Sequence, residues 1–187
     1  MSTNVGRIVG VNGNLMTVEF DNPVIQNEVG YARLGDLRLK SEVIRIRGKN
    51  AEMQVFEDTS GLKVGDPVEF SSQLLAVELG PGLLTHIYDG LQNPLPELAE
   101  QCGFFLQRGM YLRALDRTKT WEFTPAVKAG ASVRAGDTLG TTPEGIFTHR
   151  IMVPFRLAGS WKVEEVAPKG SYTVEKVIAR LKDDKGQ

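Results

Sequence analysis

The sequence predicts a mainly β protein, built from two β-rich modules with a short helical segment between them. Three observations carry this prediction. The first third of the chain consists of short alternating runs, residues 73–108 change to a helical periodicity, and short apolar runs punctuated by glycine return from about residue 109. Alternation of apolar and polar residues is typical of half-buried strands. Several short strands with regular turns favour a small closed barrel, which also leaves no exposed strand edge.

The first hairpin of this barrel is predicted by a dipeptide. Residues 5–11 and 15–20 alternate, and they flank Asn12-Gly13. Asn-Gly is suited to the positive φ angles of a tight turn between paired strands. We therefore expect the two runs to form an antiparallel hairpin at the start of the chain.

A second pair of strands is expected further along the barrel. Alternation places Ile44 and Ile46 on one face of the first of these strands and two arginines on the other. Gly48-Lys49-Asn50 then turns the chain, and Met53 and Val55 share a face in the following run. The apolar face of each strand is expected to point into the barrel.

The middle of the chain predicts two short helices. Pro81 suits the first position of a helix, and a helical periodicity places four apolar residues on one face: Leu83, Leu84, Ile87 and Leu91. Asn93-Pro94 is expected to end this helix, because the residue before proline disfavours helical geometry. A second helix is expected over residues 96–102, ended by Gly103.

Composition narrows the class of protein. The chain has 187 residues, which suits one large domain or two small ones, and its formal net charge is −1. That charge gives no electrostatic reason to expect nucleic acid or an anionic membrane as a partner. No apolar run approaches the roughly 18 residues of a membrane span, and residues 1–20 do not resemble a secretory signal. We expect a cytoplasmic protein without direct insertion into a membrane.

Cysteine and histidine provide few candidates for chemistry. The single Cys102 excludes an internal disulfide framework and a multi-cysteine metal site, and we interpret it as a small buried apolar side chain. His149 is expected to be an exposed turn residue and His86 a helix-surface residue. His86 and Asp89 together could orient a base, but no serine or cysteine nucleophile is placed by motif nearby.

Four carboxylates that lie close together in sequence are candidates for acid–base chemistry: Glu57, Asp58, Asp66 and Glu69. Paired carboxylates can act as acid and base when one of them is desolvated. These four surround a Thr-Ser-Gly turn, where aspartate and serine side chains commonly bond to backbone amides. We therefore interpret them as turn residues.

Two further features suggest binding only weakly. Gly80-Pro81-Gly82 before a helix start could hold an anion, although the glycines equally suit a tight entry turn. Arg45, Arg47 and Lys49 form a small basic strand end with few aromatic neighbours for stacking bases. The default interpretation of both is structural: an entry turn and a solvated barrel face.

The two tryptophans, Trp121 and Trp161, each lie among alternating, strand-like residues. Paired aromatic rings can enclose a ligand, but large aromatic side chains more often complete a small core. Because this part of the chain has few other large aromatic residues, we expect both rings to belong to the core of the second module.

Motifs along the whole chain resemble the amino-terminal part of the catalytic A subunit (alpha chain) of V-type rotary ATPases of the archaeal and vacuolar kind. They occur in the family's order and spacing, as residues 57–66 (EDTSGLKVGD), 79–84 (LGPGLL), 88–92 (YDGLQ), 115–117 (LDR), 121–125 (WEFTP), 140–144 (GTTPE), 149–154 (HRIMVP) and 170–175 (GSYTVE). The segment after residue 109 resembles an insertion that the non-catalytic B subunit and the F-type subunits lack.

The resemblance implies three parts. Residues 1–72 are similar to the β-barrel that joins neighbouring A and B subunits into the crown of a hexameric head. Residues 73–108 resemble the helical lead-in to a nucleotide-binding domain. Residues 109–187 resemble the protruding, barrel-sandwich-like insertion, or bulge domain, that contacts the peripheral stalk. The family couples ATP hydrolysis or synthesis to H⁺ or Na⁺ transport, and it is attached peripherally to a membrane-embedded complex.

The resemblance assigns no catalytic, cofactor-binding or metal-binding residue to this chain. The family binds ATP or ADP with Mg²⁺ through a phosphate loop of the form Gly-x-x-x-x-Gly-Lys-Ser/Thr, and nothing in the 187 residues has that form. We therefore expect no cofactor in this chain and no activity from it alone, whereas the full-length parent would hydrolyse ATP. We expect this portion of the subunit to serve assembly of the hexameric head and contact with the peripheral stalk.

Three alternatives remain open at the level of sequence. Residues 127–174 are similar to a biotinyl or lipoyl barrel-sandwich, but the hairpin that would present the modified lysine has Thr148-His149-Arg150-Ile151-Met152 instead, so a free-standing interaction module without that lysine is the version that fits. An oligonucleotide-binding barrel over residues 1–72 would need salt-dependent binding of single strands. A stand-alone hydrolase lacks a placed nucleophile.

Overall fold

The computed structural model describes residues 4–103 and 105–183, which group into two compact units. One unit comprises residues 1–77 and 98–111, and the other comprises residues 78–97 and 112–187. The module boundaries predicted at residues 72 and 108 stay a prediction. They were drawn from similarity of motifs, whereas the two units are defined by their compactness. Residues 1–3 and 184–187 of the expected end modules lie outside the described residues. No helix in the described ranges has both the length and the apolar character needed to cross a membrane.

The first unit is built around a closed antiparallel barrel, which confirms the predicted class. Its strands follow the spatial order β1-β2-β5-β4-β3-β6, and β6 closes the barrel by pairing with both β1 and β3. In chain order they are β1 (Asn4–Asn12), β2 (Leu15–Glu19), β3 (Glu28–Leu34), β4 (Leu37–Arg47), β5 (Asn50–Val55) and β6 (Pro67–Leu74).

The predicted first hairpin is confirmed. Strand β1 pairs with β2 in antiparallel register, with Asn12 opposite Leu15, and Gly13 between them has a φ angle of 60°. A residue with a side chain rarely adopts this left-handed conformation, so glycine suits the turn.

Strand β4 corrects one sequence expectation. Ile46 packs against the barrel core as predicted, but Ile44 is 40% exposed, and the inward residue before it is Val43. The register shifts between Val43 and Arg45, where Val43 lies opposite Met53 and Arg45 opposite Glu52. A β-bulge adds one residue to a strand and changes which face the following residues occupy. Simple alternation therefore placed Ile44 on the wrong face.

The second unit contains two sheets that the chain visits alternately. One is a four-stranded sheet in the order β10-β9-β7-β12, and the other is a three-stranded sheet in the order β13-β11-β8. The strands are β7 (Thr120–Pro125), β8 (Ser132–Arg134), β9 (Thr138–Glu144), β10 (Phe147–Met152), β11 (Ser160–Val166), β12 (Gly170–Thr173) and β13 (Ala179–Lys182). Val133, Leu139, Val153 and Val163 form a buried cluster in this unit, and Trp161 packs against it as predicted.

Of the two predicted helices, the first is wrong and the second is confirmed. Residues 81–91 contain only a short 3₁₀ turn, Leu83–Thr85, whereas α1 spans Leu95–Cys102. The Asp89 carboxylate accepts hydrogen bonds from the backbone N–H groups of Leu91 and Asn93, and such local bonds compete with helix formation. The second helix ends where expected, at Gly103, whose φ angle is 67°.

Candidate functional site

The described residues contain no cluster of three or more histidine, cysteine, aspartate or glutamate side chains arranged to hold a metal ion. The turn interpretation is confirmed for two of the four candidate carboxylates. Asp58 accepts bonds from the backbone N–H and the hydroxyl of Ser60, which lower the pKa of its carboxyl group, and Asp66 accepts the backbone N–H of Lys63. These bonds stabilise turns and leave no paired acid and base.

The other two candidate carboxylates fix elements of the barrel unit. Glu57 accepts the backbone N–H of Gly109 at 3.0 and 3.1 Å, through its two oxygens. Glu69 forms ion pairs with Arg33 at 3.4 Å and Arg38 at 3.1 Å. The contact of Glu57 fastens residues 98–111, the part of the chain that returns to this unit. The ion pairs of Glu69 link strands of the barrel.

The basic strand end is balanced by acidic neighbours. Arg45 and Arg47 both pair with Glu52, at 3.8 and 3.6 Å, and Lys49 pairs with Asp21 at 3.5 Å. All three basic side chains are more than half exposed. A solvated and partly neutralised face is a poor platform for the phosphates and bases of a nucleic acid.

Cys102 is only partly buried, and its sulfur contacts the Met110 sulfur at 2.9 Å. The expectation of a buried side chain is therefore wrong for Cys102, which is partly exposed. Methionine and cysteine sulfur atoms are polarizable and pack well together, so the contact needs no chemical role.

The four-stranded sheet of the second unit has one face rich in aromatic side chains. Alternation along β7 places Trp121 and Phe123 on the same face, and the register with β12 places Tyr172 beside Trp121. Phe123 is buried and forms an edge-to-face pair with Tyr172 at a centroid distance of 6.2 Å. We call the face carrying Trp121, Phe123 and Tyr172 the aromatic face.

A buried carboxylate belongs to the same face. Register across the β9–β10 hairpin places His149 opposite Thr142, and Glu144 follows Thr142 by two residues, so all three share a face. The Glu144 side chain is fully buried, with no accessible surface. A buried ionised carboxylate requires hydrogen-bond donors or a positive partner to offset its lost hydration.

Among the described residues, two backbone N–H groups and one imidazole contact the Glu144 carboxylate. One carboxylate oxygen accepts the backbone N–H groups of Gly82 at 2.7 Å and Leu84 at 2.9 Å, and the other contacts Nδ1 of His149 at 2.9 Å. Gly82 has a φ angle of 112° and precedes the 3₁₀ turn, so its N–H and that of Leu84 converge on one point. The glycine turn does hold an anion, but that anion is a side chain of the same polypeptide.

This arrangement corrects the expectation for His149. The residue lies within strand β10 and pairs with buried Glu144, whereas an exposed turn position was expected. Glu144 itself was missed. The signal that could have found it is the spacing Glu144-Gly145-x-x-x-His149, because a tight turn after the glutamate places the two side chains diagonally across the hairpin on one face.

His86 also differs from its expected place on a helix surface. It follows the 3₁₀ turn, its Nδ1 lies 2.7 Å from the carbonyl oxygen of Gly82, and its Nε2 lies 3.4 Å from Glu97. Asp89 meanwhile accepts backbone and side-chain N–H groups of Asn93. The carboxylate beside His86 is thus that of Glu97, and Asp89 stabilises a turn.

A cleft of about 760 Å³ lies over the aromatic face within the second unit. Its lining includes Trp121, Phe123 and Tyr172 on the sheet, together with residues 78–81. Trp121 is therefore a wall of the cleft, which makes the expectation of a core position wrong for this ring, and Lys119 lies 4.3 Å above it. Phe123 is the aromatic side chain that β7 buries.

The barrel and the second unit match models of one protein family. Residues 8–72 match the model described as the ATP synthase alpha/beta family, beta-barrel domain. Residues 112–187 match the ATP synthase alpha/beta subunit barrel-sandwich domain. The fold and both matches define the class: the chain belongs to the ATP synthase alpha/beta family.

Relatives narrow this to one subunit type. The chain is 58% identical over 186 residues to the V-type ATP synthase alpha chain of Treponema denticola, covering 100% of this chain and 32% of the relative. It is 55% identical over 186 residues to V-type ATP synthase alpha chain 1 of Treponema pallidum, again covering 100% of this chain and 32% of the relative. It is 54% identical over 181 residues to the V-type ATP synthase alpha chain of Borreliella afzelii, covering 97% of this chain and 32% of the relative.

The sequence of this chain thus matches the amino-terminal region of V-type ATP synthase alpha chains, and the resemblance drawn from the motifs is confirmed. The chain spans about a third of the length of these relatives.

Proposed function

We propose that this chain is the amino-terminal, non-catalytic portion of a V-type ATPase A subunit and that it serves assembly. The observation that carries the proposal is the high identity to V-type alpha chains along the whole chain, together with a closed barrel that matches the family's own barrel. The barrel joins neighbouring A and B subunits into the head, and the second unit contacts the peripheral stalk. The complex is cytoplasmic and attached to a membrane-embedded H⁺ or Na⁺ translocating part.

The proposal assigns catalysis to the longer protein. A full-length parent would hydrolyse or synthesise ATP with Mg²⁺, whereas this chain alone binds no nucleotide, because its sequence has no Gly-x-x-x-x-Gly-Lys-Ser/Thr loop to cradle phosphates. Binding of MgATP to the isolated chain in calorimetry would contradict this part of the proposal without touching the assembly role.

Apolar side chains on the outside of the barrel suit a contact with neighbouring subunits. Val9, Val11 and Leu15 are 42%, 36% and 45% exposed at the β1–β2 hairpin. Apolar residues at the centre of a protein–protein interface contribute much of its binding energy. We therefore propose this hairpin as part of the barrel contact.

The proposal predicts that Leu15→Asp weakens assembly. A charge buried in an apolar interface is costly, so the variant chain should associate with B subunits at least about tenfold more weakly than the unsubstituted chain in analytical ultracentrifugation. Val64→Asp is a matched control, because Val64 is 69% exposed in a loop outside the strands. Equal association by all three proteins would remove the hairpin from the interface, and no association by any of them would argue against the assembly role.

A further inference from the structure

Residues 79–85 border the cleft in the second unit, since Leu79, Gly80, Pro81 and Leu83 line it, and we call this segment the strap. On the amino-terminal side, Glu78 pairs with Arg117 and accepts the backbone N–H of Leu115 at 3.3 Å. On the carboxyl-terminal side, the Ile87 carbonyl accepts the N–H of Leu95 at 2.9 Å, and the Tyr88 hydroxyl donates to the carbonyl of Ala114 at 2.9 Å. The strap is therefore anchored at both ends.

Apolar burial holds the strap only weakly between these anchors. Leu79 and Leu84 are 79% and 59% exposed, Pro81 and Leu83 are half-buried, and Gly82, which is buried, has no side chain. Segments with little buried apolar surface open at a lower free energy than the rest of a protein. The strap accordingly depends on its polar contacts.

The central polar contact is the Glu144 carboxylate. It accepts the N–H groups of Gly82 and Leu84, and hydrogen bonds to an ionised group are among the stronger ones in proteins. Two glycines, Gly80 and Gly82, flank Pro81 and supply backbone freedom next to this contact. Loss of a contact in the middle of a glycine-containing segment that is fixed at both ends can release that segment without unfolding the sheet.

Release of the strap from Glu144 has an all-or-none character. When the two N–H groups leave, Glu144 keeps His149 as a partner but loses two donors and must gain water, because a buried carboxylate with unfilled acceptor sites is strongly disfavoured. A partly open strap would leave the carboxylate buried without these partners, so the closed and fully open states are the favoured ones.

Opening of the strap would widen the cleft toward the aromatic face. Gly82 lies against Trp121, since a Cβ atom built on Gly82 would be 3.3 Å from the indole ring. Pro81 and Leu83 also line the cleft. We propose that the strap is a hinged cover over the aromatic face, and that Glu144 is the latch that keeps it closed. The inference stands on the second unit alone and does not rest on the assembly role.

Amide hydrogen exchange followed by NMR tests the latch on the 187-residue chain. In the unsubstituted protein, the amides of Gly82 and Leu84 should exchange at least about tenfold faster than those of Gly130 and Val163, which are bonded within the other part of the unit at 2.7 and 2.9 Å. Equal protection of all four amides would mean that the strap opens only when the unit unfolds, and it would overturn the proposal.

Two variants separate the latch from general stability. Glu144→Gln should accelerate exchange at Gly82 and Leu84 by a further factor of about ten or more, because the strong charge-assisted acceptor is lost, while Gly130 and Val163 stay unchanged. Glu122→Gln makes the same chemical change on the opposite, exposed face of β7 and should leave all four amides unchanged. Uniform acceleration by Glu144→Gln, or none at all, would contradict a latch.

A second readout follows the cover itself. In a Trp161→Phe background the fluorescence comes from Trp121 alone, because the chain has two tryptophans. Glu144→Gln should then increase quenching of Trp121 by acrylamide, and Glu122→Gln should not. If Glu144→Gln fails to fold, the exchange hierarchy of the unsubstituted chain decides the question. Faster exchange at Gly82 and Leu84 with unchanged quenching of Trp121 would support the role of Glu144 in holding the strap. It would contradict the proposal that the strap covers the aromatic face.

Discussion

At the scale of single residues, Gly140 shows how closely the aromatic face is packed. A Cβ atom built on Gly140 would lie 2.1 Å from the Phe123 ring and 2.9 Å from the carbonyl oxygen of Thr124. Real Cβ atoms do not approach other atoms so closely, so any side chain here must displace the ring or the backbone of β7. Glycine at this position therefore permits the Phe123 ring to lie close against the backbone of β9.

We predict that Gly140→Ala destabilises the second unit. Overpacking of a well-packed site costs about 1–3 kcal/mol, and the neighbouring backbone carbonyl leaves little room for relief. Gly90→Ala is the matched control, since nothing lies within 4 Å of a Cβ atom at Gly90. Chemical denaturation followed by tryptophan fluorescence measures both variants. Equal stability of the two would show that Phe123 moves aside at little cost.

Residue-level prediction from the sequence succeeded where a local rule governs the conformation. Asn12-Gly13 predicted its hairpin because a tight turn needs positive φ, and Asp58 and Asp66 bond to nearby amides as turn residues do. It failed for Glu144, whose partners Gly82 and Leu84 are 62 and 60 residues away in sequence. No local pattern reports a contact of that kind.

At the scale of elements, several polar contacts fasten residues 108–111 within the barrel unit. Arg108 donates to the carbonyl of Ser60 at 2.7 Å, Gly109 donates to Glu57, and the Tyr111 hydroxyl accepts the backbone N–H of Lys40 at 2.6 Å. Burial, the largest cause, raises the pKa of Tyr111 well above its ordinary value. The neutral phenol is therefore the form that fits this place.

This contact predicts a loss of stability at alkaline pH. The folded-state pKa of Tyr111 lies above the unfolded value near 10. As the pH rises, the unfolded chain therefore loses the tyrosine proton before the folded chain does. The contribution of Tyr111 to the free energy of unfolding consequently falls as pH rises above about 10. Tyr111→Phe should cost about 1 kcal/mol at pH 7, from the lost hydrogen bond, and should reduce the slope of stability between pH 10 and 11.5. Urea denaturation at several pH values measures this. An unchanged slope would show that Tyr111 ionises equally in both states.

Element-level prediction failed where tertiary contacts overrode periodicity. The pattern of Leu83, Leu84, Ile87 and Leu91 suits a helix, but Leu84 and Ile87 are exposed, and the chain is held instead by Glu144 and the Asp89 turn. In β4, the bulge at Ile44 broke the alternation on which the assignment of faces rested. Helix α1 was predictable because a glycine ends it and its first turn contains Glu97.

At the scale of the whole molecule, the two units differ in their cores. The barrel buries a cluster of eleven residues that includes Ile8, Leu39 and Met53, whereas the clustered buried residues described in the second unit are four. Hydrophobic burial is the main favourable contribution to folding. Both units also bury a glutamate side chain, Glu28 in the barrel unit and Glu144 in the second unit, so the size of the apolar cluster is what distinguishes them.

These differences predict that the second unit unfolds first on heating. Both tryptophans of the chain, Trp121 and Trp161, lie in that unit, so tryptophan fluorescence reports on it alone, while far-UV circular dichroism reports strands of both units. We expect the fluorescence transition at a lower temperature than the last transition in circular dichroism, because units with separate cores need not unfold together. Gly140→Ala should lower the fluorescence transition and leave the last one in place. Coincident transitions that shift together in the variant would show that the two units unfold as one cooperative structure, in which the barrel core also stabilises the sheet beneath the strap.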